Sequence, residues 1–279
     1  MLINRQLMTD FVARYPAQPA TAFLRAIEID KLAQAEIPDG LGLDLGCGDG
    51  ILTDILFKQM GRTPRLVGVD PDPLETEAAK QYAFYERIHT CGGASIPEPD
   101  NTFDFVISNS VLEHIPMLEP VIAEAARVLK PGGQFFFTVP CPGFRDNLLG
   151  SWIPGFSRET YLKDLDKRLV HLNYLGDADW RAMAERHGLK VTAISGYLGR
   201  RTTRRWEILS RLTGGLLHTL SFGRLRPIEI QRRFNLRHFQ NSASLPRWLA
   251  ASIGRMLTTG LGGDDVVDHP GCLLVIGQK

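Results

Sequence analysis

Gly42-Leu43-Asp44-Leu45-Gly46-Cys47-Gly48-Asp49-Gly50, followed by Val67-Gly68-Val69-Asp70, is the part of this chain that decides its fold. An apolar strand runs into a turn with glycine at every second position. Glycine permits a tight strand-to-helix turn and keeps side chains away from a bound ligand. A helix leaving such a turn directs its free N–H groups at it, which suits a carboxylate or another anionic group. Asp70 closes the second strand, where its carboxylate can accept bonds from both hydroxyls of a ribose. Ligands of open α/β sheets gather at the carboxyl ends of strands near the switch in strand order, and this turn belongs there.

Working outward, strand-like runs occur at Leu41–Leu45, Leu66–Val69, Phe103–Ser108 and Gln134–Val139, with helical patterns after Asp49, over Leu74–Tyr85 and over Leu118–Leu129. This alternation predicts a parallel sheet covered by helices on both faces. Lys130-Pro131-Gly132-Gly133 reads as a helix end and the entry to the next strand. Further on, a helix at Ala178–His187 leads through Gly188 into a strand at Leu189–Ile194, and Cys272–Ile276 reads as a short terminal strand. The expected organisation is a helical segment over 1–39, a core over 40–196, an arginine-rich helical insertion over 197–269 and a returning strand over 270–279. Residues 141–177 form a further elaboration.

The 279 residues are 44% hydrophobic and 23% charged, as in a soluble globular protein with one large domain or a domain carrying an insertion. No apolar run is long enough to span a bilayer, and Asn4, Arg5 and Asp10 interrupt the start where a signal peptide needs its apolar core. Cys47, Cys91, Cys141 and Cys272 are scattered without a CxxC pair, which predicts reduced thiols in a cytoplasmic protein. The net charge of +1 hides a division. Residues 197–256 hold 12 arginines against Glu207 and Glu229, so this segment is expected to meet an anionic partner within the protein or outside it.

A nicotinamide site is the first competitor for the glycine turn. Its usual loop is GxGxxG, whereas the spacing here is GxGxG, and Asp44 puts a carboxylate near the ligand's charged end. That is a poor neighbour for a pyrophosphate and a good one for an ammonium or sulfonium. A nicotinamide oxidoreductase and a non-catalytic cofactor-binding partner subunit remain the alternatives to a transferase.

At this point the residues resemble a known family. Leu43-Asp44-Leu45-Gly46-Cys47-Gly48-Asp49-Gly50, Val69-Asp70, Thr102-Phe103-Asp104-Phe105-Val106 with Leu112-Glu113-His114-Ile115, and Leu129-Lys130-Pro131-Gly132-Gly133 look like successive motifs of class I S-adenosylmethionine-dependent methyltransferases, closest to the branch that methylates small molecules and lipids. The resemblance implies a doubly wound, seven-stranded, mostly parallel Rossmann-like sheet, elaborated before the sixth strand and between the last two. It also implies that Asp44, Gly46, Cys47 and Gly48 surround the methionine part of the cofactor. Asp70 would hold the ribose, Pro71 would lie against the adenine and Asn109 would sit beside the cofactor. Such enzymes commonly carry an aspartate before an Ala-x-x-Leu-Pro stretch to bond the adenine amino group. This chain reads Gly92-Gly93-Ala94-Ser95-Ile96-Pro97 instead, so the backbone of Gly93 and Ala94, or Ser95, would hold the adenine.

Methyl transfer from a sulfonium needs alignment of acceptor, carbon and sulfur, exclusion of water and, for a protonated acceptor, a base. The histidines show no metal-ligand spacing, and no metal is expected. His114 is the first candidate near the transfer, against a purely structural role at a helix start. His171 and Tyr174 are the second, three residues apart and so on one face if that stretch is helical. Phe144, Trp152, Ile153, Pro154, Phe156 and Tyr161 can line an apolar acceptor pocket or simply pack a long loop.

In the arginine-rich segment, Trp206, Leu209, Leu212, Leu216, Leu217 and Leu220 recur near helical spacing across Gly214-Gly215. A second stripe comprises Leu245, Trp248, Leu249, Ile253, Met256 and Leu257. Four readings stand open: packing against the sheet or a second subunit in a homodimer, peripheral contact of residues 200–257 with an anionic membrane, binding of an anionic acceptor, and, least favoured, nucleic acid around Arg232, Arg233 and Arg237. The function expected is S-adenosylmethionine-dependent methyl transfer to a small organic or lipid-like acceptor in the cytoplasm.

Overall fold

The computed structural model describes residues 3–16, 18–152, 154–215, 245–261 and 267–279. Ile153, Leu216, Leu217, Leu220, Arg232, Arg233 and Arg237 therefore lie outside the described residues. In chain order the helices are α1 (Arg5–Arg14), α2 (Pro19–Leu32), α3 (Ile51–Gln59), α4 (Pro73–Ala79), α5 (Leu118–Val128) and α6 (Pro142–Asn147). They continue with α7 (Arg158–Leu169), α8 (Asp177–Arg186), α9 (Arg200–Ser210) and α10 (Arg247–Thr258). The chain divides into two compact units. One comprises 31–142, 172–196 and 272–279, the other 1–30, 143–171 and 197–271.

The first unit is built on seven strands, β1 (Leu41–Leu45), β2 (Arg65–Asp70), β3 (Tyr85–Thr90), β4 (Phe103–Asn109), β5 (Leu129–Pro140), β6 (Lys190–Tyr197) and β7 (Cys272–Gln278), in the order β3-β2-β1-β4-β5-β7-β6. β1 pairs in parallel with both β2 and β4, so the strand order reverses at β1, the strand that feeds the glycine turn. β7 runs antiparallel to β5, with Phe136 opposite Ile276. The period of two along β1 sends Leu43 and Leu45 into a core with Val121, Ile122 and Ala125 of α5 and Trp180 of α8. Gly42 and Asp44 face the other side. A Cβ on Gly42 would lie 2.3 Å from the Phe105 ring, which itself packs on Phe57 of α3.

The sheet matches the expected fold class, with two local differences. The helical pattern over Leu74–Tyr85 yields only α4, capped by the Asp72 carboxylate on the Leu74 amide, and Tyr85 opens β3. β3 is an edge strand, and its exposed Glu86 and Arg87 leave little apolar signal to read. Lys130–Gly133 follows the end of α5 and enters the next strand as expected, but β5 already begins at Leu129, ahead of Gln134, with Gly132 at φ +82° and an irregular register against β4.

In the other unit α1 packs on α10. Leu7, Met8, Phe11 and Val12 are buried on one side, Ala250, Gly254 and Leu257 on the other, and a Cβ on Gly254 would sit 3.0 Å from Met8. Arg247 pairs with Asp10 at 3.3 Å. This divides the expected stripe on α10, in which Leu257 is buried and Leu249 and Ile253 are half-buried. The helix meets α1 through its small residues, which allow close approach, while Trp248 and Met256 stand 72% and 65% exposed. Trp206 of α9 is buried against Phe144 of α6, ring centroids 5.0 Å apart, and Leu212 beyond α9 is exposed.

The described partners of the α9 arginines are neutral backbone carbonyls. Arg201 and Arg205 donate to the carbonyls of Gly260 and Thr259 just past the end of α10, at 3.0 and 2.9 Å. Arg204 donates to the carbonyl of Asn147, which ends α6, and Arg211, just past α9, donates to that of Gly150. Helix C-termini expose unpaired carbonyls at the negative end of the macrodipole, and guanidinium groups satisfy both needs. Among the described residues no helix is long and apolar enough to cross a membrane.

Candidate cofactor site

The turn after β1 is held from beneath by β2. The amides of Gly46 and Cys47 both donate to the Val69 carbonyl, at 2.7 and 3.0 Å, and Gly50 closes the turn onto the Cys47 carbonyl at 3.0 Å. Gly46, Gly48 and Gly50 all have positive φ, +82°, +52° and +79°. Their surroundings differ. A Cβ on Gly46 would lie 2.4 Å from Val111 and one on Gly50 2.7 Å from Tyr82, whereas one on Gly48 would meet nothing within 4 Å. Gly48 therefore borders open space at the strand ends, a cradle that a ligand can enter and a side chain would fill.

Asp70 stands at this cradle. One carboxylate oxygen accepts the Gly48 amide at 3.0 Å and the other the Asp72 amide at 2.9 Å. Burial raises its pKa, against the two amides that favour the charged form. Asp44 lies deeper, 3% exposed, and a single oxygen accepts from the Thr53 hydroxyl at 2.6 Å and the Tyr85 hydroxyl at 2.5 Å. Burial pushes its carboxyl up to about 6 despite these donors. Cys47 is buried, and desolvation with Asp44 and Asp70 nearby drives its thiol far up, so it stays protonated. All four cysteines are free thiols.

Beyond the end of β2, Pro71 is exposed beside Asp70, and the Cys91 amide donates to the Asp70 carbonyl at 3.1 Å. Gly93 packs tightly, its Cβ position 2.8 Å from Leu45, while Ala94 and Ser95 are exposed. At the end of β4 the Asn109 carbonyl oxygen accepts from the Thr138 hydroxyl at 2.5 Å, and its Nδ2 is buried with no protein partner. His114 sits in the short helical turn Leu112–His114 with its side chain 38% exposed, and its Nε2 lies 3.9 Å from the buried Glu113 carboxylate. The turn is stapled from outside. The Leu172 and Asn173 amides donate to the Glu113 carbonyl, and the Asn173 side chain to the carbonyls of Leu112 and Ile115.

The structure thus brings Asp44, Gly46, Cys47, Gly48 and Asp70 around one turn, with Pro71, Gly93, Ala94 and Asn109 at neighbouring strand ends. The expected helical pairing of His171 with Tyr174 is corrected. Val170, at φ +60°, ends α7, and residues 171–176 form no helix. His171 belongs to the second unit, its ring 5.9 Å from Phe144, and Tyr174 belongs to the first. Sequence reading missed Thr53 and Tyr85. The only signal for Thr53 was a polar residue in the first turn of a helix otherwise apolar on that side, and β3 was not recognised at all.

A glycine turn between β1 and α3, an acid ending β2, and a seven-stranded, mostly parallel sheet whose last strand runs antiparallel agree with a Rossmann-like fold of the class I methyltransferase type. Residues 43–137 match the family model described as "Methyltransferase domain". It is 31% identical to the ubiquinone biosynthesis O-methyltransferase of Colwellia psychrerythraea over 162 residues, 55% of this chain and 62% of that one. It is 35% identical to the ribosomal protein L11 methyltransferase of Burkholderia cenocepacia over 37% of this chain and 33% of that one. The chain therefore spans less than two thirds of the length of these relatives. A methyltransferase structure from Thermotoga maritima superposes with a TM-score of 0.54 at 13% identity, covering 98% of this chain and 99% of that one, a likeness of fold.

Proposed function

We propose that this protein transfers a methyl group from S-adenosylmethionine to a small organic or lipid-like acceptor by direct in-line displacement. The observation that carries the reading is the Asp70–Gly48 bond, which fixes a ribose-accepting carboxylate beside the open cradle of the turn. When bound, S-adenosylmethionine supplies a methyl group already activated by its sulfonium. Asp70 would accept hydrogen bonds from the ribose hydroxyls, Pro71 and the Gly93–Ala94 backbone would border the adenine, and Gly46, Cys47 and Gly48 would border the methionine part. Asp44 adds a buried negative charge beneath the turn, complementary to the ligand's cationic groups. Asn109 brings a donor in search of an acceptor to the end of β4. The half-exposed imidazole of His114 takes the proton of an O–H or N–H acceptor, or orients one that has none. His171 and Tyr174 are candidates for acceptor contact, and no step requires a metal.

The lipid-like acceptor is favoured by the named relative in ubiquinone biosynthesis and by α10, whose exposed Trp248 and Met256 lie beside Arg247 and Arg255 as on a helix that rests on an anionic bilayer. Cytoplasmic residence with peripheral membrane contact follows from that reading. A homodimer is the competing use of the same face, and nucleic acid is disfavoured. The test is transfer of labelled methyl from S-adenosylmethionine into a lysate split into organic, aqueous, nucleic-acid and protein fractions, with Asp70→Ala as control. Label confined to the organic fraction supports the lipid-like acceptor, and label in protein or aqueous fractions redirects it. No label above the control, with S-adenosylhomocysteine binding intact, would favour a partner subunit. Loss of sedimentation with phosphatidylglycerol vesicles in Trp248→Glu tests the membrane face.

A further inference from the structure

We infer that Tyr85 is a positioning residue of the cofactor site: its hydroxyl, with that of Thr53, holds the Asp44 carboxylate ionised beneath the glycine turn, where that charge complements the cationic end of the ligand. The inference rests on the cofactor reading above and deepens it. Three elements meet at one oxygen of Asp44, the last residue but one of β1. Thr53 reaches it from the first turn of α3 at 2.6 Å, and Tyr85 from the start of β3 at 2.5 Å. The Tyr85 ring runs under the turn. Cβ positions on Gly68 and Gly50 would lie 3.2 Å from opposite edges of it, so glycine at both places makes room for the ring. Tyr85 is 8% exposed and Thr53 6%, so neither hydroxyl is there to serve solvent.

The electrostatics make these donors necessary. Facing Asp44 are Asp70 from β2 and Cys47 from the turn, with Asp49 beside them, and none supplies positive charge. Among the described residues no lysine or arginine pairs with Asp44. A carboxylate buried among acids protonates unless donors stabilise its charged form, and two O–H groups on one oxygen do this. Burial and the Asp44 charge drive the Tyr85 phenol well above its ordinary pKa, so it stays a donor throughout the working range.

The test compares the full chain with Tyr85→Phe, which keeps the ring, and Thr53→Val. In ligand-free protein the Asp44 carboxyl is titrated by carbon-13 NMR, its resonance assigned by its absence in Asp44→Asn. The midpoint in each variant is expected to move up by about one pH unit. S-adenosylhomocysteine binding by calorimetry should then weaken about fivefold at pH 6 and stay within about twofold at pH 8.5, following that titration. Equal weakening at all pH values with an unmoved carboxyl titration means that Tyr85 merely packs, and overturns the inference. A parent that binds no S-adenosylhomocysteine, with the titration still shifted by Tyr85→Phe, sinks the cofactor reading and leaves the hydrogen-bonded Asp44 standing.

Discussion

One oxygen of Asp70 accepts the Gly48 amide at 3.0 Å, although 22 residues separate the two, so the acid that ends β2 is part of the turn that follows β1. A carboxylate so placed shapes the loop and presents acceptors to a ribose at once. Asp70→Asn keeps the volume but turns one acceptor into a donor. S-adenosylhomocysteine affinity should fall about 10- to 100-fold, the worth of hydrogen bonds to a charged group, about 1.5–3 kcal/mol. Calorimetry reads this, and a loss under about threefold would take Asp70 out of the site.

The three turn glycines are not equivalent. Gly46→Ala forces a methyl to 2.4 Å from Val111 at φ +82°, and should destabilise the fold by about 2–4 kcal/mol through overpacking and left-handed strain. Gly48→Ala meets only strain at φ +52°, about 1 kcal/mol, but its methyl enters the open cradle. Thermal melts with and without S-adenosylhomocysteine separate the two. Gly46→Ala melts early in both, and Gly48→Ala melts almost normally yet gains nothing from the ligand.

How far the sequence could be read follows from where its information is local. The turn at Gly46–Gly50 and the acid at Asp70 are local patterns, and the structure sets them at the ends of β1 and β2. The strand through Leu43 and Leu45 followed from its apolar run. Tyr85 did not, because an edge strand with Glu86, Arg87 and His89 on its open faces carries almost no apolar rhythm, and its contact with Asp44 spans 41 residues. Which part of the α10 stripe packs was not legible for a related reason. Hydrophobic size points to Trp248 and Met256, but close packing selected Ala250 and Gly254. The end of α7 turns on Val170 adopting φ +60°, a conformation a β-branched residue rarely takes and sequence does not announce.

In the second unit Glu207 is fully buried and accepts the Leu149 and Gly150 amides at 2.6 and 3.3 Å together with Arg211 at 2.5 Å. The Arg211 guanidinium lies between the Trp152 and Tyr161 rings, 4.4 Å from each centroid. Glu207→Ala strands this buried cation and two amides, and should cost about 3–5 kcal/mol in urea unfolding. Glu207→Gln keeps the volume and one of the two acceptor oxygens and should cost less. Equal losses would show that charge on Glu207 is immaterial and that packing alone decides.

Asp44 gives the sharpest pH prediction, because its carboxyl is raised from 3.8 to about 6 by burial. A folded-state value above the unfolded one means that between these pH values the folded protein holds a proton the unfolded chain has released. The stability this provides is complete below about pH 4 and is lost as pH rises through about 6. Two units correspond to about 3 kcal/mol, a loss that Asp44→Asn does not suffer. Glu98, Asp104 and Glu124 have lowered values and the opposite slope, but they are common to both proteins and cancel in the difference. Urea unfolding of parent and Asp44→Asn should therefore differ little near pH 4, with the variant ahead by about 2–3 kcal/mol at pH 7.5 while binding S-adenosylhomocysteine less tightly. A variant less stable than the parent at pH 7.5 would mean that the hydroxyls of Thr53 and Tyr85 outweigh burial, and that the ionised carboxylate holds the fold together as well as the ligand.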